Sequence, residues 1–152
     1  MSVNRPLYET RANLDQELSV AAVVARKWDC VPVKLPMKYS VDFALVRNKQ
    51  IKSFCEMKAR NYTLTQLDKM GGVMISFDKW MKAKSICRSA NVPFILIIQT
   101  VDKKIWYSVF SDEFVRMPTY LGGRTDRNDS QDIDACVLLD AKLFKLLEEA
   151  NE

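Results

Sequence analysis

The chain contains no histidine. That excludes Ser-His triads, histidine-metal nucleases and nearly all common zinc sites, so any catalysis must run on carboxylates, lysine, tyrosine or cysteine. Cysteine is sparse as well: Cys30, Cys55, Cys87 and Cys136 lie far apart, with no Cys-x-x-Cys pair. They read as reduced, mostly buried thiols of a cytoplasmic protein (host cytoplasm, if viral). No run of about 18 apolar residues occurs, which predicts no membrane span. The opening MSVNRPLYETR lacks the apolar core of a signal peptide. Repeats, low-complexity segments and breaks in composition are also missing, so residues 1–152 are expected to form a single domain.

What is present suits that expectation. A chain of 152 residues, 48% of them hydrophobic, is enough for one domain with a real core. The net charge of +4 and pI near 8.9 form a mild basic excess, compatible with nucleic acid but not demanding it.

The most informative stretch runs from Tyr39 to Asn61, YSVDFALVRNKQIKSFCEMKARN. It reads as two apolar strands joined by a polar turn. The first carries one acid, Asp42, inside the otherwise apolar run Val41 to Val46; a carboxylate there is costly unless a cation or a hydrogen-bond donor compensates it. The second ends in Glu56-Met57-Lys58, and period-2 geometry places Glu56 and Lys58 on one face, roughly 6.5–7 Å apart along the strand. Asp42 joins them only in one register. A two-residue Asn48-Lys49 loop sets Asp42 opposite Cys55 and turns Glu56 to the other face; a three-residue loop or a bulge pairs Asp42 with Glu56. A Glu-x-Lys pair also occurs on solvated sheet faces. Asp42 in its apolar run favours the alternative, a divalent-metal site with a built-in cation, suited to hydrolysing a phosphodiester with magnesium.

The flanking segments supply a scaffold. Asn13 to Trp28 is expected to be a helix, with Asn13 and Gln16 as a capping box and Leu14, Leu18, Ala21, Ala25 and Trp28 along its apolar stripe. Glu17 borders that stripe, whereas Glu9 precedes the helix. Val31 to Leu35 reads as a short edge strand, limited by Pro32 and Pro36. Thr63 and Gln66 suit a capping box on a short helix, or Gln66 and Lys69 approach a phosphate. After the apolar piece Val73 to Ile75, Ser76 caps a helix from Phe77 to Ala90, with Phe77, Met81, Ser85 and Ile86 toward the sheet. Val92 to Val101 is apolar on both faces and belongs at the centre, and Ile105 to Phe110 returns antiparallel to it. Ser111 to Asp134 reads as an irregular surface or phosphate-binding loop, followed by a strand at Ala135 to Leu139. A C-terminal helix is expected from Asp140 to about Glu149.

Asp42 followed fourteen residues later by Glu56-Met57-Lys58 resembles the PD-(D/E)XK nuclease signature, with Val41 where the signature has proline. An acid on the first helix, Glu17, ahead of the strand Asp and the Glu-x-Lys, is similar to the order in archaeal Holliday-junction resolvases. The apolar run, small cap and helix with an early lysine, Lys79, resemble phage-type nucleases of the same superfamily. The resemblance covers roughly Asn13 to Val101. It implies an α/β restriction-endonuclease-like core, a central mixed sheet flanked by helices in α-β-β-β-α-β order with C-terminal additions. It also implies a magnesium-dependent DNA endonuclease, manganese substituting, structure-selective or site-specific as a homodimer or larger oligomer. Asp42, Glu56 and the Met57 carbonyl would hold the metal. Lys58 would act on the attacking water, and Glu17 would hold a second metal or an outer water. Arg60, Gln66, Lys79, Arg124 and Arg127 are candidate phosphate contacts, Lys79 also reading as a solvated lysine. A binding module without cleavage and an RNA endonuclease are the alternatives.

Overall fold

A computed structural model of the chain describes residues 11–36, 41–111, 119–123 and 133–148. The elements follow in the order α1 (Arg11–Trp28), β1 (Val31–Lys34), β2 (Phe43–Arg47), β3 (Gln50–Ala59), α2 (Leu64–Lys69), β4 (Val73–Ser76), α3 (Phe77–Ala90), β5 (Phe94–Gln99) and β6 (Ile105–Phe110). Then come β7 (Thr119–Gly123), β8 (Ile133–Leu139), a 3-10 turn at Ala141–Leu143, and β9 (Lys145–Glu148). Six strands form one mixed sheet in the order β1-β2-β3-β5-β6-β9, and β4-β8-β7 form a second.

Strand β5 lies inside the larger sheet, parallel to β3 and antiparallel to β6, and Phe94 through Ile98 are all buried. Its continuous apolar run is what a strand covered on both faces requires. The cover comes from α1 on one face and α3 with the second sheet on the other.

The hairpin that carries the acids resolves the register question. Asn48 and Lys49 both take positive φ, 54° and 62°, forming a two-residue loop that pairs Arg47 with Gln50. The ladder then slips: Val46 faces Ile51 but Leu45 faces Ser53, so Lys52 is the extra residue of a bulge. Beyond it Phe43 faces Cys55, and one further step sets Asp42 opposite Glu56. The two-residue loop alone would have separated the acids; the bulge brings them to one face.

Both long helices depart in part from the sequence expectation: Ala21, Trp28 and Ile86 pack on the core as predicted, but Leu18, Phe77, Met81 and Ser85 do not. In α3 the buried residues are Trp80, Ala83 and Cys87, while Phe77 and Met81 are 37% and 39% exposed and Ser85 lies outside. Trp80 is the reason: its ring stands edge-on to Phe110 at 5.0 Å and to Phe94 at 6.2 Å, filling a pocket that no smaller residue would. The turn brings Lys79, one turn ahead of Ala83, toward β3. In α1 the buried residues are Val20, Ala21 and Val24, Leu18 is 58% exposed, and Glu17 sits a turn before Val20 and Ala21 on the sheet-facing side. That helix starts at Arg11, so Asn13 is not its cap; the side chains of Asn13 and Leu14 lie outside the described residues.

Two further expectations are corrected. Among the described residues after Asp140 no α-helix forms: the Asp140 carboxylate accepts from Lys142 N–H to cap the 3-10 turn, Phe144 is buried, and Lys145–Glu148 pair with the edge of β6. The edge strand supplies backbone partners that a local helical pattern does not foresee. The segment from Ser111 to Asp134, read as irregular, contains β7 and the start of β8, whose pairing depends on contact between distant residues.

Gly72 makes a test of this packing. Its φ is +129°, and an added Cβ would stand 2.2 Å from the Leu139 carbonyl oxygen. Neither the conformation nor the backbone contact can relax cheaply, so Gly72→Ala is expected to cost about 2–4 kcal/mol in chemical denaturation. A loss below about 0.5 kcal/mol would mean that β8 can move away from the turn.

Candidate active site

The bulged hairpin and the parallel β3–β5 pair meet at Glu56-Met57-Lys58, where β3 runs on past the start of β2 and stays paired with β5. Glu56 is buried, at 1% exposure, and its charge is met by two ammonium groups. Lys58 Nζ lies 3.0 Å and Lys79 Nζ 2.7 Å from the same oxygen, Oε2. Lys58 comes from β3 itself, two residues on and therefore on the same face. Lys79 comes from the first turn of α3, where Ser76 Oγ accepts from Lys79 N–H at 3.4 Å. A carboxylate this deep is tolerated because both cations reach it.

Asp42 stands at the foot of β2. Its N–H donates to the Cys55 carbonyl at 3.0 Å, and its carbonyl accepts from Leu35 N–H at 2.8 Å, so its backbone is held on both sides. Its Oδ2 accepts from Met57 N–H at 2.8 Å. In an extended strand a residue's N–H and C=O point to the same edge. The Met57 carbonyl therefore faces the Asp42 side of β3, past the start of β2. Burial, and next the negative charge of Glu56, push the Asp42 carboxyl up to about 6, with the Met57 N–H and Lys34 opposing. Burial pulls the Lys58 ammonium below the usual lysine range, helped by Lys79 and resisted by Glu56. Burial acts in the same sense on Lys79, but the adjacent Glu56 carboxylate outweighs it and holds its proton more firmly than usual.

The remaining candidates fall in different places. Glu17 reaches over from α1 and pairs with Lys34 at the end of β1; Lys34 Nζ lies 3.8 Å from Asp42 Oδ1. Lys34 went unnoticed in the sequence because only the β1–β2 register brings it beside Asp42. Arg60 donates to the carbonyls of Met74 at 2.8 Å and Ala59 at 3.0 Å, tying the end of β3 to β4, and burial lowers its pKa against the pull of Glu56. Gln66 completes the capping box of α2: its Oε1 accepts from Thr63 N–H at 2.8 Å and its own N–H donates to Thr63 Oγ1 at 3.2 Å. Arg124 and Arg127 lie outside the described residues.

Among the described residues no three acid or cysteine side chains gather closely enough to hold a metal ion by themselves. The donors that do converge are Asp42, Glu56 and the carbonyl of Met57, all hard oxygens of the kind magnesium and manganese take. An Asp42 carboxyl with a raised pKa beside a second acid is also a place where added positive charge is favourable. The donor set therefore fits such an ion.

Comparisons with known proteins bear on the fold and the family. A search of curated proteins found no match. Among solved structures, the chain is similar to Archaeoglobus fulgidus Hjc, described as a Holliday junction resolvase from an archaeal hyperthermophile. The TM-score is 0.50 at 10% sequence identity, covering 87% of this chain and 84% of that one. At that identity the likeness establishes the fold, a six-stranded mixed sheet flanked by helices of the restriction-endonuclease-like type. The family profile described as "Phage putative PDDEXK endonuclease" matches residues 3–147. Spanning nearly the whole chain, that match shows that this protein belongs to the phage PDDEXK endonuclease family.

Proposed function

We propose that the chain forms one nuclease unit, residues 1–152, that hydrolyses phosphodiester bonds in DNA with the help of a divalent cation, magnesium or manganese. The observation that carries this reading is the convergence of Asp42, Glu56 and Lys58 at one end of the sheet, with Lys79 on the same Glu56 oxygen. Asp42, Glu56 and the Met57 carbonyl would hold the ion. When bound, the ion supplies a lowered pKa for the attacking water and offsets charge building on the phosphate. Lys58, whose burial favours the neutral amine, orients that water and takes its proton. Lys79 keeps Glu56 in place while Lys58 gives up its own hold on it. Arg124 and Arg127 remain candidate phosphate contacts, whereas Arg60 uses its donors within the fold and the Gln66 side-chain oxygen is held by Thr63 N–H.

The solved relative is named a junction resolvase, so branched DNA is the first substrate to try. Cutting both strands with one small site per chain calls for a symmetric dimer or larger assembly. The experiment is a cleavage panel of supercoiled, linear, branched, single-stranded and RNA substrates with magnesium or manganese. Metal-dependent nicking supports the reading, cleavage of RNA alone redirects it, and binding without cleavage overturns it. Light scattering of the same preparation reads the oligomeric state.

Glu17 has a sharper test. Its place on the sheet-facing side of α1 restricts its rotamers, whereas Glu9 lies outside the described residues. Glu17→Gln is expected to slow cleavage at least about tenfold, about 1.4 kcal/mol in the barrier, with the fold retained and Glu9→Gln nearly silent. The reverse pattern would assign the third acid to Glu9.

A further inference from the structure

Lys34 is the last residue of β1, and the ladder with β2 sets it opposite Phe43, beside Asp42. Its ammonium lies 5.2 Å from the centre of the Phe43 ring. It pairs with Glu17 Oε1 from α1 and stands 3.8 Å from Asp42 Oδ1. One cation from an edge strand therefore stands between carboxylates delivered by two other elements. Lys58 and Lys79 serve Glu56 in the same way, one from β3 and one from α3.

We propose that Lys34 is a positioning residue, a built-in counter-ion that holds Glu17 and Asp42 together until a divalent cation displaces it from Asp42. The inference rests on the metal-dependent reading above. Both cations draw on the carboxylate of Asp42, and they repel each other at that distance. A dication brings twice the charge and binds hard oxygens directly, so it wins the competition. The loser need only shift: the Lys34 side chain is 37% exposed on a flexible four-carbon stem, and it can swing away from Asp42 while keeping Glu17. Lys34 thus limits metal affinity while keeping two acids from repelling each other when no metal is bound.

The test is a titration with magnesium chloride alone, without nucleic acid, followed by calorimetry and thermal melting. Lys34→Met keeps the stem over Phe43 and removes the charge. It should bind magnesium about two- to fivefold more tightly than wild type, the upper part of the range set by an exposed ion pair, and Lys34→Arg should return affinity to the wild-type level or below. Lys34→Met should melt earlier than wild type without metal and together with it at saturating magnesium; a merely structural role would lower both melts alike. In wild type, amine-reactive labelling of Lys34 should rise on adding magnesium, and this measurement decides the matter should Lys34→Met fail to fold. Unchanged labelling, or equal or weaker binding by folded Lys34→Met, overturns the inference and leaves the nuclease reading standing. If wild type binds no magnesium at all, the metal-dependent reading falls and takes this inference with it.

Discussion

Lys58→Ala is expected to remove DNA cleavage, by about 10²–10⁴-fold if the amine serves as the base, while leaving DNA affinity nearly intact. The structure says why the fold should survive. Glu56 would not be stranded, because Lys79 still holds the same oxygen at 2.7 Å. A buried carboxylate stripped of every partner would cost several kcal/mol; one that keeps an ammonium loses much less. Burial lowers the Lys58 pKa, so its basic form gains population as pH rises, and cleavage by wild type should climb with pH through that range. Lys58→Arg, which stays protonated, should remain inactive although its charge is preserved. Measuring single-turnover cleavage beside filter-binding affinity separates the two roles. An affinity that falls in step with activity would make Lys58 a phosphate anchor. Binding should weaken with salt in all three proteins, since phosphate contacts release counterions.

Asp42→Asn should do the opposite to stability and the same to activity. The unfolded aspartate titrates near 3.9, and in the fold Asp42 is pushed up to about 6. The folded chain therefore holds the proton more tightly than the unfolded one. The associated stabilisation is complete below about pH 4 and lost as pH rises through about 6, beyond which the carboxylate charge costs about 3 kcal/mol. Asparagine avoids that charge, and its side-chain oxygen can still accept from Met57 N–H. Without metal, the variant should melt about 6–12 °C above wild type near pH 7.5, with the gap closing toward pH 4. Magnesium should then raise the melting temperature of wild type and leave Asp42→Asn unmoved. Calcium should stabilise wild type too, yet support little cleavage. A wild-type melt indifferent to millimolar metal, or an Asp42→Asn that still gains from it, would remove Asp42 from the metal-binding set. Cleavage by Asp42→Asn at the wild-type rate would do the same for catalysis.

Much of this architecture is written in short-range pattern. The apolar run of β5, the Ser76 cap of α3 and the Thr63–Gln66 capping box depend only on neighbouring residues, and the sequence predicts each of them. The lack of histidine narrows the chemistry at once. The spacing of Asp42, Glu56 and Lys58 likewise needs only strand periodicity and one assumption about register. The assumption was the part the sequence left open: whether Asp42 meets Glu56 turned on a bulge at Lys52, and a bulge depends on how the whole hairpin packs. Helix rotation was equally out of reach. Phe77 and Met81 form as good a stripe as Trp80, Ala83 and Cys87, and only the aromatic pocket of Phe94 and Phe110 chooses between them. That choice carries Lys79 to Glu56. The C-terminal segment became a strand because β6 offers an open edge, and Lys34 joined Glu17 to Asp42 because three elements meet there. Local periodicity determined the elements and named the acids; the partners of those acids, being cations from distant segments, were decided by tertiary packing alone.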